Sequence, residues 1–278
     1  EAQLGLRPRI LAAPGLDTKP VATALAVIAK RLRAMAYCAA NGATLADVID
    51  YRKNFSAREL MLIHPDFVAF DTASAGNVTS WATARAVGLR AKLDQEQGWH
   101  KSLSNVEVAG VVGLTRDIQF DYQDQACEAN LLNAAQITAL VRPNGGGYRF
   151  WGNRTAVELN DPFSFEVATR SAQVIMDTIA AGMLWAIDKP LRPSLAKDIV
   201  ETINGTLRQF VLEGRLLGGT AWYNTELNTI DGLKTGKLVI DYDFTPVPPL
   251  ENLALQQRIT DRYFADFGAG LGVTNAAA

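Results

Sequence analysis

The chain has 278 residues, enough for one large domain or two smaller ones with real cores. Hydrophobic residues make up 48%, which excludes disorder as a global description. A formal net charge of −2 leaves no basic field over the chain, which argues against direct nucleic-acid binding.

In chain order, Pro8 to Gly15 reads as a short buried strand ending in a turn. Asp17 or Thr18 can cap the helix that follows, with Pro20 in its first turn. Val21 to Ala40 is alanine-rich and amphipathic and is expected to be one helix. Thr44 caps a shorter helix to Asn54. Leu60 to His64 is a strand broken by Pro65, and Ser80 to Gln97 is helical. Val106 to Leu114 and Ile118 to Phe120 look extended. Leu131 to Ala135 is a short helix and Ile137 to Val141 a strand. This alternation predicts an α/β layer with a mixed sheet flanked by helices. The second half has a different order. Pro162 opens a long helix to about Asp188, and Ser194 caps another to about Glu213, stopped at Gly214. Two strands follow, Gly219 to Asn224 and Gly236 to Thr245. Leu253 to Phe267 returns to helical character, and Gly268 to Ala278 carries no core pattern. Two long helices and a small sheet make an α+β unit. The expected division is residues 1–147, 148–267 and a terminal arm, 268–278.

Searching for chemistry returns little. Gly232 to Lys237 is one residue short of a phosphate loop, has Leu238 where Ser or Thr must hold magnesium, and reads as a hairpin-side turn. Gly110 to Gly113 is not a dinucleotide fingerprint. The two histidines, His64 and His100, have no metal-site spacing, and no G-x-S-x-G elbow is present. Cys38 and Cys127 read as inert buried thiols. The pairs Asp121 with Asp124 and Asp241 with Asp243 read as solvent faces or as partners for Lys and Arg. The longest apolar run, Val174 to Ile187, is too short for a membrane span and contains Asp177. The densest segment is Tyr148 to Thr155, with three aromatic residues and two arginines in eight positions. Its rings must pack and its guanidinium groups must find carboxylates, carbonyls or aromatic faces. A catalytic cleft and a structural junction both satisfy that demand.

Several long segments, in order, carry a resemblance. They are PRILAAPGLD from Pro8, QGWHKSLSN from Gln97, YRFWGNRT from Tyr148, WAIDKP from Trp185, DYDFTPVPPLENL from Asp241 and ITDRY from Ile259. Together they resemble the tail sheath proteins of contractile-tailed bacteriophages, a family shared with R-type bacteriocins. The resemblance implies a structural subunit with no catalytic, cofactor-binding or metal residues. It implies hexameric rings stacked around a tail tube, contraction that drives the tube through the host envelope, and contacts with baseplate and tail terminator. It places the protein in the virion tail, assembled in the host cytoplasm, with no membrane insertion. It also implies an outer α/β domain, an inner domain for polymerisation and tube contact, and terminal arms that add strands to a neighbour's sheet.

On that basis Leu238, Ile240 and Tyr242 are expected on one face of an inner-domain strand. Gly268, Gly270, Leu271, Gly272, Val273 and Thr274 are expected in the arm, and Tyr148, Arg149, Trp151 and Arg154 at the domain junction. Relatives of this type have an additional N-terminal stretch, so the chain is expected to be a fragment and monomeric in solution. Two readings compete: a nucleotide- or sugar-phosphate-binding α/β enzyme, and another tail component such as a baseplate protein. The first rests only on the strand–helix alternation of residues 8–141.

Overall fold

The structure, a computed structural model, describes residues 5–264. The first part of the chain runs β1 (Ile10–Leu11), α1 (Lys19–Leu32), β2 (Met35–Ala39), α2 (Leu45–Arg52) and β3 (Leu60–His64). It continues with β4 (Phe67–Asp71), β5 (Gly76–Ser80), α3 (Ala82–Glu96), β6 (Gly113–Leu114), α4 (Glu128–Ala134), β7 (Ile137–Val141) and β8 (Arg149–Trp151). Five strands form the main sheet in the order β1-β2-β3-β7-β8. The first four are parallel, and β8 runs antiparallel to β7. A small antiparallel sheet, β5-β4-β6, stands beside it. Strands β3 and β7 are buried on both faces, as parallel strands covered by helices must be. Helices α1, α2 and α4 cover one face, and α3 covers the other.

Local chemistry sets the element ends. Pro20 sits in the first turn of α1, and Ala22, Ala26 and Ala29 present its buried stripe. Arg33, in the left-handed region at φ 51°, stops the helix and turns the chain directly into β2. A capping box starts α2: Asp47 N–H donates to Thr44 Oγ1, and Thr44 N–H donates to Asp47 Oδ2. Such a cap is worth about 1 kcal/mol. Asp17 does not cap α1; its carboxylate accepts from Ala39 N–H at 2.6 Å and ties the loop to the end of β2.

The second part runs α5 (Glu166–Gly182), a 3-10 turn (Leu184–Ala186), α6 (Pro193–Leu212), β9 (Leu216–Tyr223), α7 (Ile230–Lys234) and β10 (Ile240–Pro246). Strands β9 and β10 form a two-stranded antiparallel ribbon, with Ile240 opposite Tyr223 and Phe244 opposite Gly219. Its core gathers Ile175, Ile203, Leu207, Phe210, Leu216 and Ala221, joined by Trp99 from the first part.

Several expectations differ from the structure. The helix expected over Val21 to Ala40 ends at Leu32, and Met35–Ala39 is a strand. Its apolar run suits a helix or a doubly buried strand equally, and only the neighbouring strands choose between them. Leu253 to Phe264 is not helical beyond a 3-10 turn at Arg262–Phe264, and residues 265–267 lie outside the described residues. Of the stretches expected to be extended over 106–120, only Gly113–Leu114 pairs as a strand. The hairpin of β4 and β5 was not anticipated. The long helix expected from Pro162 begins at Glu166, and α6 starts after Arg192 without a serine cap. The connection that reads as a hairpin turn at Gly232 to Lys237 holds the short helix α7. Finally, β8 closes the main sheet, so that sheet continues past the boundary expected at 147/148.

Candidate assembly surfaces and the contact between the two parts

The segment Tyr148 to Thr155 is built mostly into the first part. Phe150 is fully buried and meets Phe67 edge-on at 5.5 Å. Trp151 packs edge-on against Phe120 at 4.8 Å and Tyr122 at 5.9 Å. The Tyr148 hydroxyl donates to Val112 O, and Arg149 donates to Asn105 Oδ1 at 2.9 Å. Arg154 reaches furthest along the chain, beyond the Ser164 and Glu166 backbone that Thr155 and Asn153 also meet. It stacks on Phe165 at 3.9 Å, donates to Ser164 Oγ and forks onto the Glu251 carboxylate. In this segment the three rings pack into the first part, while Asn153, Arg154 and Thr155 contact residues 163–166.

The main contact between the two parts was not legible as a motif. Glu166 opens α5 and is fully buried; its Oε1 accepts the Tyr37 hydroxyl at 2.6 Å. Arg170, one turn later, forks onto both oxygens of Asp94 at 2.8 and 2.5 Å. Arg90, also fully buried, donates from Nε to Asp94 at 3.0 Å and lies 3.6 Å from Glu166. Two guanidinium groups and two carboxylates therefore neutralise each other between β2, α3 and α5. Burial, then the Glu166 charge, holds the Tyr37 hydroxyl well above its ordinary range. Burial opposes the charge of Arg170, yet Tyr37, Asp94 and Glu166 outweigh it and keep the guanidinium more firmly protonated than usual. A second, more exposed cluster places Asp177 of α5 against Arg9 at 2.5 Å, Arg33 at 2.5 Å and Arg7 at 3.8 Å. The i,i+4 spacings Arg90/Asp94 and Glu166/Arg170 were the only local signals. An exposed helix face uses the same spacing routinely.

Arg52 is buried. It donates to the carbonyls of Phe55 and Val157 and to Gln136. Cys38 is fully buried, and burial pushes its thiol up to about 12.

On the ribbon, Ile240, Tyr242 and Phe244 pack on the α6 core. Leu238 precedes β10 and is half-buried. Asn204 of α6 clamps β9 by donating to Ala221 O and accepting from Ala221 N–H. Asp243 accepts from Thr220 N–H across the ribbon. Among the described residues, both outer edges of the ribbon lack a paired strand. The arm residues Gly268, Gly270, Leu271, Gly272, Val273 and Thr274 lie outside the described residues. No helix of the described residues is long and apolar enough to cross a membrane, and no cluster of metal-ligating side chains occurs among them.

The described chain is thus an α/β body joined by buried ion pairs to a helical body with an open-edged ribbon. Comparison with known proteins identifies its family. Residues 1–156 match the phage tail sheath protein central domain, and residues 158–260 match the phage tail sheath C-terminal domain. The chain is 53% identical over 268 residues to the tail sheath protein of Escherichia phage P2, covering 96% of this chain and 67% of that one. It is 45% identical to the major tail sheath protein of Serratia phage KSP20, covering 98% of this chain and 68% of that one. The chain belongs to the phage tail sheath family. Its fold matches the sheath of an extracellular contractile injection system in the contracted state, with TM-score 0.76 at 18% identity, over 91% of this chain and 71% of that one.

Proposed function

We propose that this chain polymerises through its ribbon into hexameric rings around a tail tube, and that the rings contract to drive the tube through the host envelope. The observation that carries this is the pair of unpaired edges on β9 and β10. A two-stranded ribbon is marginal by itself, whereas its free N–H and C=O groups are a template for strands from another chain. A contact of that kind between identical subunits, repeated head to tail, closes into a ring when the rotation returns on itself and otherwise grows a helix, and both contacts together make stacked rings. Residues 268–278 are the proposed donor strand, with Ile240 and Tyr242 holding the acceptor ribbon on α6 and Leu238 at its entry. Hydrogen-bonded strands let subunits swing without separating while their larger bodies repack. The work comes from that repacking, with no substrate turned over and no cofactor. Tube protein, baseplate and tail terminator are the proposed partners, in a virion tail assembled in the host cytoplasm.

Arg154 is the proposed coupling residue at the junction, through Phe165 and Glu251. The proposal is tested by deleting residues 268–278 in the sheath gene and viewing the assembled tails by electron microscopy. Tails without polymerised sheath, with the purified variant melting as before, are expected. Normal sheaths would refute the donor-strand role.

A further inference from the structure

The outward face of α1 is unusual for a surface helix. Its buried stripe is satisfied by Ala22, Ala26 and Ala29, yet the opposite side carries Ala24, Val27 and Ile28, with Val27 57% and Ile28 44% exposed. A solvated face would hold charged and polar residues there. The helix contains no acidic residue, and its last turn is basic. Lys30 and Arg31 are exposed and make no ion pair among the described residues.

The loop between β6 and α4 has the opposite character. Asp117, Asp121 and Asp124 are exposed and unpaired, while its one cation, Arg116, is already held by Glu128. Tyr122 stands among the three acids, 65% exposed, with the rim of its ring resting on Phe120 and Trp151. The loop is pre-shaped: Asp121 accepts from Gln123 N–H and Asp124 from Ala126 N–H, both at 2.8 Å. A rigid aromatic ring within an acidic rim is suited to an apolar patch with a basic rim.

The two surfaces also lie in the right places. Both belong to the same helix-covered face of the main sheet, whose cluster includes α1 residues, Phe120 and Trp151. Helix α1 packs on β2 and β3, and the loop rests on β8, the far edge strand. Complementary patches at opposite ends of one layer cannot meet within a subunit, so they pair between copies. Repeated along one layer, such a contact is head to tail, as the proposed assembly requires.

We infer that the Ala24–Val27–Ile28 face of α1, with Lys30 and Arg31, docks the Asp117–Asp124 loop of a second copy of this chain, with Tyr122 seated on Val27 and Ile28. This rests on the proposed assembly of identical subunits and adds a side-by-side contact between the α/β bodies, distinct from the ribbon edges.

Carbodiimide cross-linking of a concentrated mixture of isotope-labelled and unlabelled protein tests it, read by mass spectrometry. Mixed-label cross-links from Lys30 to Asp117, Asp121 or Asp124 are expected. The variant Lys30→Glu/Arg31→Glu should lose them, and its self-association should weaken roughly tenfold or more, because two attractions become repulsions. Mixing that variant with Asp117→Lys/Asp124→Lys should restore association, since the alternating pair is complementary at every contact. Each variant is checked for unchanged melting. Mixed-label cross-links that never join the two patches would overturn this pairing and leave assembly standing. A complete absence of cross-links between copies would overturn self-association and this pairing together.

Discussion

Replacing Asp94 with alanine removes the carboxylate that Arg170 grips with two nitrogens and that Arg90 reaches from Nε. Arg90 is fully buried and Arg170 is 6% exposed, so neither guanidinium can turn to water. Arg90 keeps the carbonyls of Lys101 at 2.6 Å and Gly98 at 3.3 Å, but the carboxylate left to both guanidinium groups is Glu166, at 3.6 and 3.7 Å, beyond hydrogen-bond length. Breaking one side of a buried ion pair costs about 3–5 kcal/mol, because an uncompensated charge stays in the interior. The Asp94 side chain keeps 27% exposure, which admits some water and selects the lower end, about 3 kcal/mol. For a protein of this size, that lowers the melting temperature by roughly 6–12 °C. Thermal and urea unfolding of Asp94→Ala measure it. The double variant Asp94→Leu/Arg170→Met should recover much of the loss, since both charges leave together. A double-mutant cycle should give a coupling of about 2 kcal/mol. An Asp94→Ala protein that melts with the wild type would refute the view that these ion pairs hold α5 to the first part.

Three further outcomes are expected. Trp151→Ala should cost about 2–3 kcal/mol in urea unfolding, because a half-buried ring loses Phe120 and Tyr122; unchanged stability would argue against a packed segment. Cys38 should resist thiol reagents in the folded state near pH 8 and react on unfolding. Its raised thiol means the associated stability is present below about pH 8.5, the ordinary thiol value, and is lost as pH climbs towards about 12; rapid labelling of native protein would contradict its burial. Burial lowers the affinity of His64 for a proton, so stability is present above about pH 6.5 and falls as pH drops below it. His64→Gln should flatten that acid limb of the unfolding curve, and an unaltered limb would assign it to other groups.

The sequence by itself determined elements whose signals are local. Thr44 announces the start of α2, and the structure caps the helix there, completed by Asp47 three residues on. The runs Leu60–His64 and Ile137–Val141 are short, apolar and β-rich, and both are central strands. The motifs spread from Pro8 to Tyr263 were enough to indicate the sheath family, because an ordered set of long segments is far more specific than any single site pattern. Tertiary structure decided what depends on distant partners. Met35–Ala39 became a strand because β1 and β3 flank it, although its composition continues that of α1. Arg52 became a core residue because Phe55, Gln136 and Val157 close around its guanidinium. Tyr37, the Arg90/Asp94 pair and the Glu166/Arg170 pair lie far apart along the chain, and only folding brings their charges together. A buried charge is stable only beside its counter-charge, and no local pattern records which distant residue will provide it.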